Sequence, residues 1–441
     1  MNEHGYWKAA NMNHRGPLKI PSSKGMEHDV ISNLPGHIMD KILSKLPIRE
    51  AVRTSILSRK WRYKWITLPE LVFDNHCTLV SSQDQIVIKN KLVSIIDHVL
   101  LLHIGPIHRF KLSHRDLLAV SDIDRWVLYL SRSMFKELIL EIWKGQRYKL
   151  PSSLYSMQHL VHLELFNCFL NPPSTFSGFR CLKSLDLQHI TMDQEGFENM
   201  IASCPQLERL TLMNFDGFSL LKVNAPKLQF FDTGGIFEDV LFLNTEKLAI
   251  ASIGLYVNVV SDGYPINGSY TSNLARFCSS LPHVERLEVQ NYFLKYLAIG
   301  NISGRIPSLC PDLCYLSIRI NFIDSDENLA ALNLLRSCPN LQELELLARP
   351  EDQGDITAVA IFFEEANQWD GRLTFLRHIK VSGISSAAQE LDFINFLLSV
   401  TPSLERMTVK PASLDRGWEL VKELLRFRRA SVQAEVVFLD P

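Results

Sequence analysis

The strongest constraint on this chain is a word that recurs along it, L-x-x-L-x-L with conservative apolar exchanges. It reads Leu160-x-x-Leu163-x-Leu165, Leu182-x-x-Leu185-x-Leu187 and Leu207-x-x-Leu210-x-Leu212. Later copies are Val284-x-x-Leu287-x-Val289, Leu313-x-x-Leu316-x-Ile318 and Leu341-x-x-Leu344-x-Leu346, then Leu376-x-x-Ile379-x-Val381 and Leu404-x-x-Met407-x-Val409. "FKELIL" (135–140) is an early copy and "LQFFDT" (228–233) a degenerate one. Most neighbouring copies lie roughly 21 to 29 residues apart, the period of a leucine-rich repeat. One copy cannot bury its own apolar face, so the copies must stack into a solenoid. Each copy predicts one strand of a curved parallel sheet, with the intervening residues returning as a helix or irregular segment.

Proline punctuates the same pattern. It stands two residues before the first apolar position at Pro205, Pro226, Pro282, Pro311, Pro339 and Pro402, where it stops the returning segment. Cys204, Cys310 and Cys338 share one repeat position just before those prolines. Cys310-x-x-x-Cys314 has no second pair at zinc spacing, so these thiols read as repeat core. The first 30 residues hold no apolar run of the signal-peptide kind, which predicts an intracellular chain with reduced thiols. "LVSIIDHVLLLHI" (92–104) is interrupted by Asp97 and His98 and is too short to span a bilayer.

Motifs for catalysis are missing: no phosphate-binding glycine loop, no nucleophile elbow and no H-E-x-x-H. "DSDEN" (324–328) begins like a calcium loop but lacks its glycine and its closing glutamate. No cofactor and no metal is expected. A solenoid points instead to binding along its strands. On the period-two rule, the residues flanking each central apolar position face outward. They include Glu164, Asp186, Arg209, Arg286, Glu288, Tyr315, Glu345, Lys380 and Arg406, with Lys410 beyond them. One reading of this surface is a solvated mixed-charge face. The other is a target site, acidic at its start and basic at its end near Lys380, Arg406 and Lys410.

The N-terminal part has a different character. Residues 1–29 are polar and aperiodic and predict a flexible arm. Ile38, Ile42, Leu43 and Leu46 then fall on one helical face, and Pro47 ends that helix. A second helix is predicted through Val52–Ile56 and Leu57–Trp61–Trp65, each spaced by four. Its segment "RTSILSRKWRYKW" (53–65) holds five basic residues, two Trp and one Tyr. A net charge of -2 argues against a nucleic-acid binder, and the companion helix argues against a membrane-surface peptide. Two short helices with more apolar surface than they can hide predict a docking module for a partner protein.

"VISNLPGHIMDKILSKLPIREAVRTSILSRKWRYKWITLPELVFD" (30–74) resembles the plant F-box. The repeats are similar to the leucine-rich portion of the same proteins, and "LRHIKVSG", "ELDFINFLLSVTPSLERMTV" and "ELLRFRRASVQAEVVFL" resemble their FBD-type C-terminal region. Gly36 and Lys64 depart from residues common in that family, Asp and Leu. The resemblance implies an α/β fold: a helical F-box (30–74), a linker and capping region (75–134), leucine-rich repeats (135–350) and an FBD-like region (351–441) that continues the stack. It implies a non-catalytic substrate receptor of an SCF ubiquitin ligase, binding a Skp-type adaptor and through it cullin and RING subunits, in the cytoplasm, the nucleus or both. Leu34, Pro35, Ile38, Ile42, Leu43, Leu46, Pro47 and Ile48 would enter the adaptor interface. Val52, Ile56, Leu57, Trp61 and Trp65 would divide between that interface and the module's own core. A repeat scaffold that does not drive degradation, or a small-molecule sensor, remains as an alternative.

Overall fold

The computed structural model describes residues 31, 33–77, 85–118, 121–258, 272–300, 310–349, 372–413 and 417–441. The arm expected over 1–29 and the start of the FBD-like region, 350–371, lie outside the described residues.

Each repeat folds as its apolar spacing dictates. Leu182, Leu185 and Leu187 are at most 1% exposed, while Ser184, Asp186 and Gln188 between them are half-buried on the other face. The strands are β1 (Glu70–Asp74), β2 (Arg109–Leu118), β3 (Glu137–Lys144), β4 (Tyr148–Lys149), β5 (His162–Phe166) and β6 (Cys168–Phe169). Next come β7 (Ser184–Gln188), β8 (Arg209–Met213), β9 (Leu220–Asn224), β10 (Phe230–Gly235), β11 (Asp239–Leu243) and β12 (Ile250–Leu255). The last are β13 (Arg286–Asn291), β14 (Tyr315–Ile320), β15 (Glu343–Ala348), β16 (His378–Ile384), β17 (Arg406–Pro411) and β18 (Glu435–Phe438). Fourteen of them form one sheet in the order β1-β2-β3-β5-β7-β8-β10-β12-β13-β14-β15-β16-β17-β18. Every neighbouring pair is parallel. β4 pairs with β6 and β9 with β11 outside that sheet.

The prolines sit inside tight turns that open the strands. Leu207 N–H donates to Cys204 O at 3.1 Å and Leu228 N–H to Ala225 O at 3.1 Å, which places Pro205 and Pro226 at the second turn position. A fixed φ near −65° suits that position. At the far end of the strands the chain turns away through left-handed residues: Asn167, His189 and Asn214 follow β5, β7 and β8 with φ of 60°, 51° and 52°. Asparagine tolerates that conformation better than most residues, and the Asn167 side chain also donates to Ile142 O at 2.9 Å.

Helices fill the return segments: α1 (Gly36–Leu43), α2 (Ile48–Arg53), α3 (Gln85–Leu102), α4 (Asp122–Leu130), α5 (Gln194–Ala202), α6 (Asn273–Ser279) and α7 (Phe293–Leu297). Three more follow, α8 (Ser325–Arg336), α9 (Ala388–Val400) and α10 (Gly417–Arg426). No helix among the described residues is long and apolar enough to cross a membrane.

The sheet departs from expectation at its start and in the middle. It begins at Glu70, inside the F-box-like word, so 75–134 carries β2 and not only a linker and a cap. Leu68, Leu71 and Phe73 make a first copy of the repeat, all at most 6% exposed. The long gap between β10 and Val284 is filled by β12, whose Leu248-x-x-Ala251-x-Ile253 carries alanine at the central position. β16, β17 and β18 continue the stack through the C-terminal region.

Candidate functional site

The N-terminal unit sorts its apolar residues into two sets. Met39 and Leu43, one turn apart on α1, are buried, together with Ile48, Ala51, Trp61 and Trp65. Trp61 Nε1 donates to Ile31 O at 3.1 Å. Leu43 and Ile48, expected in the adaptor interface, and Trp61 and Trp65, expected to be shared between interface and core, are all core, at 0–5% exposure. The helix expected through Trp65 stops at Arg53 and gives way to 3-10 turns at Thr54–Ile56 and Lys64–Thr67. Hydroxyls compete with the helical ladder there: Thr54 Oγ1 donates to Ala51 O at 2.7 Å and Ser55 Oγ to Arg62 O at 2.9 Å. That break rotates Ile56 and Leu57 away from the tryptophans.

The second set faces solvent. Ile56 is 88% exposed, and Ile42, Leu57, Pro35 and Tyr63 are also exposed. Leu34, Ile38, Leu46, Pro47 and Val52 are half-buried. Tyr63 and Ile31 are exposed apolar residues that the spacing argument did not single out. Arg59, Lys60 and Arg62 are exposed, whereas Lys64 is held by Asp40 at 3.1 Å. This is a basic, apolar surface on a unit whose own core is already full.

The open face of the sheet carries the second candidate surface. Parallel register aligns Arg209, Phe230, Ile250, Arg286 and Tyr315 in one row across β8 to β14. Glu164, Asp186, Thr211, Asp232, Ser252, Glu288, Ser317, Glu345 and Lys380 form the next row across β5 to β16. The expected outward residues thus share one face, with Lys410 half-buried at its far end.

Most of their charges are answered locally. Arg286 stacks on Tyr315 at 3.6 Å and pairs with Glu288 at 2.9 Å. Tyr315 Oη donates to Glu345 at 2.8 Å, and Lys380 Nζ reaches the same carboxylate at 2.6 Å. Burial acts to raise Glu345, but the hydrogen bonds from Lys380 and Tyr315 outweigh it and hold its carboxyl below the ordinary value. Arg406 pairs with Glu435 of β18 at 3.1 Å. At the expected basic end Lys380 and Arg406 are paired with Glu345 and Glu435, and ahead of the expected acidic start Arg109 and Lys111 stand beside Glu137 and Glu141. In the middle, burial and the Glu164 and Asp232 charges push Asp186 above its ordinary value. Burial and the Glu288 charge do the same to Asp232.

Cys204, Cys310 and Cys338 are buried free thiols, and Cys278 rather than Cys204 stands beside the other two. Burial raises Cys204 to about 11. Among the described residues no group of three or more His, Cys, Asp or Glu is arranged to hold a metal ion.

Comparison with known proteins matches both parts of the chain. Residues 31–72 match the F-box domain, and residues 123–346 match the leucine-rich repeats of FBD-associated F-box protein At5g56370. The F-box/FBD/LRR-repeat protein At1g13570 of Arabidopsis thaliana is 40% identical over 94% of this chain and 100% of its own length. F-box/LRR-repeat protein At3g59210 of the same plant is 28% identical over 72% of each chain. FBD-associated F-box protein At5g22730, also from Arabidopsis thaliana, is 24% identical over 93% of this chain and 94% of its own. A helical docking unit fused to a solenoid of leucine-rich repeats, matched over nearly its whole length, places the chain in the plant F-box/FBD/leucine-rich-repeat family.

Proposed function

We propose that the chain is the substrate-recruiting subunit of an SCF-type E3 ubiquitin ligase, acting in the cytoplasm, the nucleus or both. The F-box binds a Skp-type adaptor, which links it to cullin and RING subunits. The open face of the repeats holds a target protein. The chain itself performs no bond chemistry; it raises the local concentration of target lysines near a charged conjugating enzyme.

The observation that carries this reading is the exposed apolar set on the F-box. Ile42, Ile56, Leu57 and Tyr63 all face water on one small unit while both of its tryptophans are buried. A single exposed isoleucine needs no explanation, but a group of this size is what an interface leaves open in the free protein. Ile56→Asp with Leu57→Asp tests it by co-purification with a Skp-type adaptor. A loss of about 2 kcal/mol or more, roughly thirtyfold in affinity, is expected if these side chains are anchors. Full adaptor binding by the folded double variant would sink the assignment.

A further inference from the structure

Charge pairing on the open face stops between β7 and β12. Asp186 accepts a hydrogen bond from the Gln188 amide at 3.0 Å, and Ser252, the register partner of Asp232 on β12, tempers the effect of burial on its carboxyl. Among the described residues neither carboxylate forms an ion pair with Arg or Lys; His162 on neighbouring β5 pairs with Glu164 at 3.6 Å and also acts on Asp186. Arg209, on the adjoining row, instead lies over the Phe230 ring at 4.0 Å. Two half-buried carboxylates thus sit in the row whose later acids, Glu288 and Glu345, are answered by Arg286 and Lys380.

A second observation lies beside Asp232. Gly234 and Gly254 are register partners on β10 and β12. A Cβ on Gly234 would stand 2.3 Å from Tyr256 Oη and 3.0 Å from Met213 Sδ. Tyr256 Oη itself comes within 3.9 Å of that sulfur. The phenol therefore lies across the bare backbone of β10, from the end of β12 to β8, and stays 41% exposed. Glycine at 234 is what lets the ring lie there. Asp232 stands two residues before Gly234 on the same face of β10, and its charge, with burial, raises the phenol's pKa.

An exposed aromatic face beside an unanswered carboxylate recognises one chemistry, a flat or compact cation. We propose that the target presents an extended basic segment here, with one Arg or Lys stacked on Tyr256 and ion-paired to Asp232, and a second on Asp186. The two acids stand on strands two places apart, about 10 Å. A polyproline-II-like extended chain brings side chains back to the same side every three residues, about 9 Å along, so the two basic residues are three apart, with Phe230 and Ile250 receiving apolar neighbours. This assignment rests on the open face being the target site.

Panning a phage-displayed random dodecapeptide library on the full chain tests it. Enriched peptides should carry basic residues three apart. Asp232→Asn should weaken the best peptide at least tenfold, and so should Gly234→Ala, which keeps every carboxylate but displaces the ring. Tyr256→Leu serves the same purpose if Gly234→Ala misfolds. Lys380→Ala with Arg406→Ala, on the same face, should change binding less than twofold. Peptides without basic residues, no enrichment at all, or unchanged binding by Asp232→Asn would overturn the proposal. Adaptor co-purification is read separately: its loss with peptide selection intact defeats the ligase reading and leaves this one standing.

Discussion

At the scale of single residues, burial separates side chains that look alike in the sequence. Trp61→Ala should cost about 3–5 kcal/mol in chemical denaturation, because the ring is 2% exposed and tied to Ile31. Ile56→Ala, at 88% exposure, should stay within about 0.5 kcal/mol. A second residue prediction concerns Asp232, whose folded carboxyl is raised by burial and Glu288. A raised acid favours the folded state when protonated, so its contribution is intact below the unfolded value of 3.8 and is lost as pH rises above that through the raised folded value. Asp232→Asn should therefore melt above wild type at neutral pH, with the gap closing near pH 3.8. A variant that melts lower at neutral pH would mean that Asp232 is stabilised rather than strained by its neighbours. The repeat leucines were legible at this scale, since a strand has only two faces. The F-box residues were not. Ile38–Ile42 and Met39–Leu43 are both apolar pairs spaced by four, and the sequence gives no sign which one turns inward. The inward pair includes Leu43, the one expected contact on α1 that is fully buried.

At the scale of elements, boundaries followed local chemistry that the repeat pattern does not contain. α8 begins where Asp324 accepts from Asp326 N at 3.0 Å and Glu327 N at 3.2 Å. The stretch that looked like a truncated calcium loop is thus a helix cap, and Asp324 also pairs with Lys295. Asp324→Ala should cost about 1–2 kcal/mol, measured by thermal melting, whereas Asp324→Asn should retain most of the cap. Equal destabilisation by both would assign the loss to the Lys295 pair instead. Elements escaped the sequence reading for definite reasons. β12 carries Ala251 where its neighbours carry leucine or phenylalanine, and it includes Gly254, so its apolar signal is weak. The second F-box helix had the right spacing, but Thr54 and Ser55 satisfied backbone carbonyls from their side chains and ended it. Periodicity reports which face could be apolar; it does not report whether the backbone stays helical long enough to use it.

At the scale of the whole molecule, the F-box and the solenoid are one folding unit. β1 belongs to the F-box word by sequence and to the sheet by hydrogen bonding. Its Leu71 and Phe73 are at 0% exposure, and Phe73 packs on Phe110 of β2 at 5.5 Å between ring centroids. The joint is reinforced by Ile104 N–H donating to Ile66 O at 2.8 Å and by the His103 ring bonding Leu68 O at 2.9 Å. A solenoid needs its terminal repeat covered, and α1, α2 and the buried tryptophans provide that cover at the β1 end. The dependence runs both ways. A fragment of residues 31–74 would expose Leu71 and Phe73 along the whole β1 edge, and so small a unit has little core to spare. It should show broad, non-cooperative melting and bind a Skp-type adaptor weakly. A fragment of residues 31–170, which restores β2, β3 and β5, should melt cooperatively and recover adaptor binding. Cooperative melting of the shorter fragment would show that the F-box folds alone and that β1 is only a tether. In the coupled case the F-box surface is continuous with the repeat core, so, on the proposed function, the target face would be held at a fixed orientation to the adaptor rather than swinging on a linker.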